Sequence, residues 1–214
     1  MPAFKRESNG GWVFLRAGSV DDEQQALPYG PMARLMLILV SSIAVRTRRP
    51  EIELASAAQF LRQMGYDAGG QRYKRLWQLI SSFASSWLEI GRDGGAEFRQ
   101  PYRMTGALPK SFQDEWGGRI IMAKDFFDDL LGNLVTLDFR ILRALSGSAL
   151  AIDIYTWLSV NFQSHECSER IFSWHTLKQS FGQEYLGPFA IGSFAKAFKV
   201  ALTEVLMVYP QANV

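Results

Sequence analysis

Residues 56–87, SAAQFLRQMGYDAGGQRYKRLWQLISSFASSW, constrain the fold more than any other part of the chain. They read as two helices joined by a glycine-bearing turn. Ser56 suits an N-cap, because its hydroxyl accepts a bond from a backbone N–H orphaned in the first helical turn. Ala57, Phe60, Leu61 and Met64 follow at i, i+3, i+4 and i+7, the spacing of one buried helix face. Gly65 ends that helix, since glycine takes the left-handed backbone that other residues resist. Gly69-Gly70 opens the second helix, whose apolar stripe is Tyr73, Leu76, Trp77, Ile80, Phe83 and Trp87. Its opposite face begins with Gln71, Arg72, Lys74, Arg75 and Gln78 and carries no acid. A short helix, a tight turn and a longer helix with an Arg/Gln-rich start is the pattern of a helix-turn-helix. Arg and Gln bond base edges bidentately, and Arg and Lys neutralise phosphates. A helical hairpin with a merely solvated basic face gives the same pattern, and on this stretch alone both readings stay open.

The flanking segments supply the rest of a winged helix. Residues 1–25 read as a loose leader, with Trp12, Val13 and Phe14 as a short edge strand. Leu27-Pro28-Tyr29-Gly30-Pro31 is a turn, and Pro31 fits the first position of a helix, where its missing N–H costs nothing. That helix runs to about Arg46, and Thr47-Arg48-Arg49-Pro50 ends it. Glu51 to Leu54 alternates polar and apolar, as a half-buried strand does. After the helix pair, Leu88-Glu89-Ile90 and Arg119 to Met122 read as strands. Between them lies a glycine-rich wing holding Arg92, Arg99, Arg103 and Lys110. Ala123 to Gly132 is a short amphipathic helix with Asn133 as its end.

The second half repeats that order. Thr136 to Gly147 and Ser148 to Gln163 read as helices, and Arg170 to Ser173 as a short strand. Trp174, Leu177, Phe181 and Gly182 copy the spacing of Ala57, Phe60, Met64 and Gly65. A turn with Gly187-Pro188 precedes a last helix with Phe194, Phe198, Ala201, Leu202 and Val205 inward. Ser193, Lys196, Lys199 and Thr203 face out. Val208 to Val214 reads as the first strand of a second wing whose return strand is missing. The predicted fold class is α+β, mainly helical: two tandem winged helices over 26–132 and 133–214, each with its own core.

Composition limits the alternatives. Net charge is +2, so a nucleic-acid surface must come from local clustering. The single cysteine, Cys167, allows no intramolecular disulfide and fits a reducing cytosol. The most apolar run, Leu35 to Val45, is shorter than the about 20 residues a bilayer needs, so it reads as a buried helix and no membrane is expected. His165, Cys167 and the more distant His175 fall short of the four ligands of a structural zinc site. Asp125, Asp128 and Asp129 share a helix with Phe126, Phe127, Leu130 and Leu131 and read as a solvated acidic face. Gly69-Gly70 lacks the Gly-Lys-Ser/Thr ending of a phosphate-cradling loop. No catalytic residue, metal or cofactor is expected. Trp77, Trp87, Trp157 and Trp174 read as core, and Trp116 as the one exposed aromatic candidate.

Several ordered segments resemble the plasmid RepA-type replication initiators. They are Leu27-Pro28-Tyr29-Gly30 with Arg34-Leu35, Ala44-Val45-Arg46-Thr47, Phe60-Leu61 with Met64-Gly65 and Gly69-Gly70, and Phe126-Phe127. Leu137 to Leu145 and the run from Ser148 to Leu158 follow, and Phe194, Lys196, Ala197 and Val208-Tyr209-Pro210 close the match. The resemblance covers about residues 26–214. It implies a protein that binds repeated origin DNA (iterons), folds as two tandem winged helices, helps open the duplex and recruits the host initiator and replicative helicase. It also implies a cytoplasmic, nucleic-acid-associated protein of a bacterial host, with a monomer–dimer equilibrium left open. Family members continue past Val214, so a shortened chain is one expectation and a naturally absent second wing the other.

Under that resemblance, double-stranded DNA is the partner. Gln71, Arg72 and Arg75 are the candidates for base edges, Lys74 for phosphate, and Gln78 extends the same face. Ser193, Lys196 and Lys199 would meet a neighbouring groove. Arg46, Arg48 and Arg49 would sit at a strand end near the backbone, and Arg99 and Arg103 on the wing; for Arg48, Arg49 and the wing arginines a solvated role serves equally well. Two competing functions stand beside this one: a winged-helix transcriptional repressor, and a protein-interaction module that binds no DNA.

Overall fold

The computed structural model describes residues 3–8, 11–20, 22–53, 56–92, 102–103, 119–163, 170–212 and 214. The chain opens with β1 (Ala3–Ser8), β2 (Gly11–Arg16), β3 (Ser19–Val20) and β4 (Glu23–Gln24). Then come α1 (Gly30–Thr47), β5 (Glu51–Glu53), α2 (Ala57–Gln63) and α3 (Gly70–Ser85). β6 (Trp87–Arg92), β7 (Tyr102–Arg103), β8 (Arg119–Ile121) and α4 (Lys124–Gly132) follow. α5 (Phe139–Ala144), α6 (Ala149–Gln163), α7 (Trp174–Phe181) and α8 (Ala190–Val208) complete it. The architecture is mixed α/β and mainly helical.

The helix pair forms as its residues dictate. Gln59 N–H donates to the Ser56 hydroxyl over 3.1 Å, which fixes the start of α2. Gly65 sits at φ +88°, and Tyr66 N–H returns to the Leu61 carbonyl. Leu76, Leu79, Ile80 and Phe83 turn α3 inward, leaving the polar residues of its first turns outside. Trp87 does not belong to that stripe. Ser86 leaves the helix with extended backbone, its hydroxyl bonded to the Ser82 carbonyl over 2.6 Å, and Trp87 starts β6.

The sheets depart from the expected winged-helix pairing. β5 pairs antiparallel with β8, burying Ile52 opposite Ile120, as a first and a returning strand should. β6, however, joins β2 and β7 in a sheet of order β1-β2-β6-β7. β2 is therefore an interior strand, not an edge, and residues 3–8, 11–16, 19–20 and 23–24 are paired strands where a loose leader was expected. The register explains the choice of partner. All six residues of β6 match all six of β2, whereas β8 offers three. Trp12 lies against Gly91, where an added Cβ would come within 2.3 Å of the indole.

The second half differs at three places. α5 begins only at Phe139, because the Asp138 carboxylate accepts the Arg140 N–H at 2.8 Å and caps the helix there. Residues 170–173 form no strand: the Ser173 hydroxyl caps α7 and Ile171 is 90% exposed. α8 stays helical to Val208 and a turn follows, so the expected strand from Val208 is absent among the described residues. Gly182 also differs from Gly65. Its φ is −137°, and its lack of a side chain matters for packing, since a Cβ would lie 2.3 Å from Phe194.

The buried apolar residues form one continuous cluster instead of two cores. α1 is long and apolar enough to cross a membrane by length and composition, but it buries Met32, Ala33, Leu35, Met36, Leu39, Val40 and Ala44 against α6, α4 and β5. At the α1–α6 contact Arg34 grips Asp153 bidentately, at 2.6 and 2.8 Å. Arg6 of β1 reaches the same carboxylate at 3.9 Å, and burial pulls its pKa down while Asp153 opposes the shift. These contacts join residues of the two halves.

Candidate nucleic-acid interface

The first turns of α3 line a groove of about 790 Å³. Gln71, Arg72, Lys74, Arg75 and Gln78 form one wall. Tyr29 to Met32 at the start of α1, Gly65 and Tyr66 of the α2–α3 turn, and Ser146-Gly147 of the α5–α6 turn form the others. All five polar residues singled out on this helix come together there.

The arginines are held by aromatic rings. The Arg75 guanidinium lies 4.0 Å from the Tyr29 ring centroid, and its Nη2 donates to the Tyr29 carbonyl over 3.1 Å. Arg72 lies 4.6 Å from the ring centroid of Tyr66. The Tyr66 hydroxyl in turn donates to the Ser146 carbonyl over 2.8 Å. Burial raises the Tyr66 pKa, with Arg72 pulling the other way. Among the described residues no carboxylate pairs with Arg72, Lys74 or Arg75. Their charge is left available to an anion, and ring stacking limits their rotamers beforehand.

A second groove, of about 410 Å³, runs beside α8. Ser193, Lys196, Val200 and Glu204 line it with Ser148 and Leu150 from the start of α6. Ser193 and Lys196 thus share a surface. Lys199 does not join them: its Nζ lies 5.4 Å from the ring centroid of Trp174, which is 37% exposed and so is not the core residue expected. Trp77, Trp87 and Trp157 are partly buried.

Arg46, Arg48 and Arg49 are exposed at the end of α1, with Arg48 left-handed at φ 54°, and line neither groove. Arg103 is placed only as the backbone of β7, and Arg92 as that of β6. Arg99, Lys110, Trp116, His165 and Cys167 fall outside the described residues. Among the described residues no three His, Cys, Asp or Glu side chains cluster as metal ligands. Asp125 and Asp128 are exposed on α4, with Lys124 bonded to Asp128.

A family model described as plasmid encoded RepA protein matches residues 27–176. The chain belongs to that family. The match contains the whole first groove and the Ser148–Leu150 side of the second, while α8 lies beyond it. No curated protein sequence matches this RepA-family chain. Solved structures that share its fold include two of RctB. One, of RctB domains 2-3 (residues 155–483), is 12% identical with a TM-score of 0.58, covering 95% of this chain and 77% of that one. The other, a selenomethionine derivative of domains 2 and 3 of RctB, is 11% identical with a TM-score of 0.59 and coverages of 95% and 78%.

Sequence reasoning missed the residues that position the arginines. Tyr29 was legible as part of a turn and of one segment of the family resemblance, and nothing marked it as a partner of Arg75; it is 61% exposed. Tyr66 follows the helix-stopping glycine, where nothing in the apolar spacing marks it. Ser146, Gly147 and Ser148 were legible only as the boundary between two helices.

Proposed function

We propose that this chain is a plasmid replication initiator that binds repeated double-stranded DNA at an origin. The observation that carries the reading is the acid-free row Gln71, Arg72, Lys74, Arg75 and Gln78 along one groove. Arg72 and Gln71 are suited to base edges and Lys74 to phosphate, while Arg75, tied to the Tyr29 carbonyl, keeps other N–H groups for a phosphate or a base. α2–α3 and α7–α8 serve as two helix-turn-helix units of winged-helix type, the first with β5 and β8 as its small sheet. A likeness to a pair of solved domains supports the tandem arrangement. Ser193 and Lys196 meet the duplex through the second unit. Binding direct repeats, opening the origin and recruiting the host initiator and replicative helicase complete the reading, with family membership in their support. Binding energy spent on duplex distortion does the work, and covalent chemistry has no part in it.

The test is a nuclease footprint on the DNA beside the source gene, read for direct repeats. Arg72→Ala with Arg75→Ala should remove protection, with a loss of about 2–6 kcal/mol if both contact bases. Neither side chain enters the hydrophobic core, so the thermal midpoint should stay close to that of the parent. A double variant that still protects the repeats sinks the assignment of α3.

A further inference from the structure

Two grooves that face different recognition helices meet at one turn. Ser146 and Gly147 line the groove of α3, and the next residue, Ser148, lines the groove of α8. Adjacent Cα atoms are about 3.8 Å apart, so the lining of one groove ends where the lining of the other begins, within a single turn. We propose that the α5–α6 turn, Ser146-Gly147-Ser148, is a third DNA contact, over which a phosphodiester strand crosses from one unit to the other. The inference rests on the reading that the α3 groove binds DNA.

Three features of the turn fit that occupant. Its side chains are two hydroxyls and a hydrogen, so a strand approaches the backbone closely. The charges nearest along the two grooves are Arg72, Lys74 and Arg75 on one side and Lys196 on the other, with Glu204 as the carboxylate lining the second groove. The turn is also fixed in place. The Tyr66 hydroxyl bonds the Ser146 carbonyl, and Gly65 lies against Arg143 of α5, where an added Cβ would meet the Arg143 side chain at 3.3 Å. The α2–α3 turn and the α5–α6 turn are thus in direct contact, and the tyrosine that stacks on Arg72 also bonds the turn proposed as the crossing point.

Gly147 makes the idea testable, because a Cβ there meets nothing within 4 Å and its φ is outside the positive region. On the full chain, binding is measured to a duplex carrying the footprinted repeat and to a random-sequence duplex of equal length. Gly147→Ala should bind as the parent does. Gly147→Glu should weaken binding to both duplexes by about tenfold or more, because it sets a like charge against phosphate. Gly147→Lys should restore or exceed parental binding. If Gly147→Glu stays within about twofold of the parent while the Arg72/Arg75 variant loses binding, the third contact is wrong and the α3 reading stands. If the Arg72/Arg75 variant binds as well as the parent, the α3 reading falls and takes this inference with it. Should Gly147→Glu lower the thermal midpoint, Gly147→Cys in a Cys167→Ser background decides. Bound duplex should slow maleimide labelling at 147 by about tenfold, and an unchanged rate overturns the proposal.

Discussion

Gly182 and Gly147 show how differently two glycines constrain one fold. Gly182 ends α7 with ordinary negative φ, yet its Cα faces the Phe194 ring so closely that a Cβ would sit 2.3 Å from Cδ2. Phe194 is fully buried and makes tilted or edge-on contacts with Phe198 and Tyr185, so it has no room to retreat. Gly182→Ala is expected to destabilise the protein by about 1–3 kcal/mol, the usual cost of overpacking a filled core. Gly147→Ala should change stability by no more than about 0.5 kcal/mol. Urea unfolding of both variants checks the pair, and equal midpoints would refute the packing account of Gly182. The sequence carries both glycines in similar settings, at the end of a helix before a turn. Only the fold distinguishes a residue held by a ring from one open to solvent. The arginine–tyrosine pairs teach the same lesson. Arg72 and Arg75 were legible as an acid-free face, but the rings that hold them come from α1 and the α2–α3 turn, and no local spacing links them.

At the level of elements, what was readable was what local chemistry decides. Ser56, Gly65 and Pro31 set the ends of helices because each satisfies or tolerates a backbone need within a few residues. Strand partners were not readable, because β6 has equal local claims on β2 and β8 and only register length and the Trp12–Gly91 contact separate them. β1 was missed for a related reason. Lys5, Arg6 and Glu7 give it no alternation of apolar residues, and cross-strand contacts such as Lys5 over Trp12 support it instead. α5 offers a test of one such local device. The Arg140 guanidinium, and then its backbone N–H, hold the Asp138 carboxyl below its ordinary pKa. A folded-state pKa that is depressed gives stability that is present above the unfolded value and lost as pH falls through the folded one. Asp138→Ala should therefore lower the thermal midpoint at neutral pH. The gap from the parent should close as pH falls below about 4, where the unfolded-state carboxyl takes up its proton. A gap that persists undiminished at low pH would mean the carboxylate's charge contributes nothing.

At the scale of the whole molecule the question is how a nearly neutral protein holds a polyanion. The chain has 23 Lys and Arg against 21 Asp and Glu, so no broad field draws DNA in. Elsewhere the cations are partly spent inside the protein: Arg34 and Arg6 converge on Asp153, Arg140 pairs with Asp138, and Lys124 with Asp128. Among the described residues, the cations that line the two grooves are Arg72, Lys74 and Arg75 along α3 and Lys196 along α8. Both grooves sit on elements that share one cluster of buried residues, with α1 bound to α6 through Arg34 and Asp153. The salt dependence of binding then follows from a count. Each neutralised phosphate contributes about −0.9 to the slope of log K against log salt concentration, so these four cations give a slope of at most about −3.6, and less for each arginine that meets a base instead. Removing Arg72 and Arg75 should reduce its magnitude by up to about 2. Fluorescence anisotropy of a repeat-containing duplex across a potassium chloride series measures both slopes. A parental slope steeper than about −7 would require contacts well beyond these two grooves. A slope indistinguishable from zero would mean that the acid-free face of α3 does not meet phosphate at all.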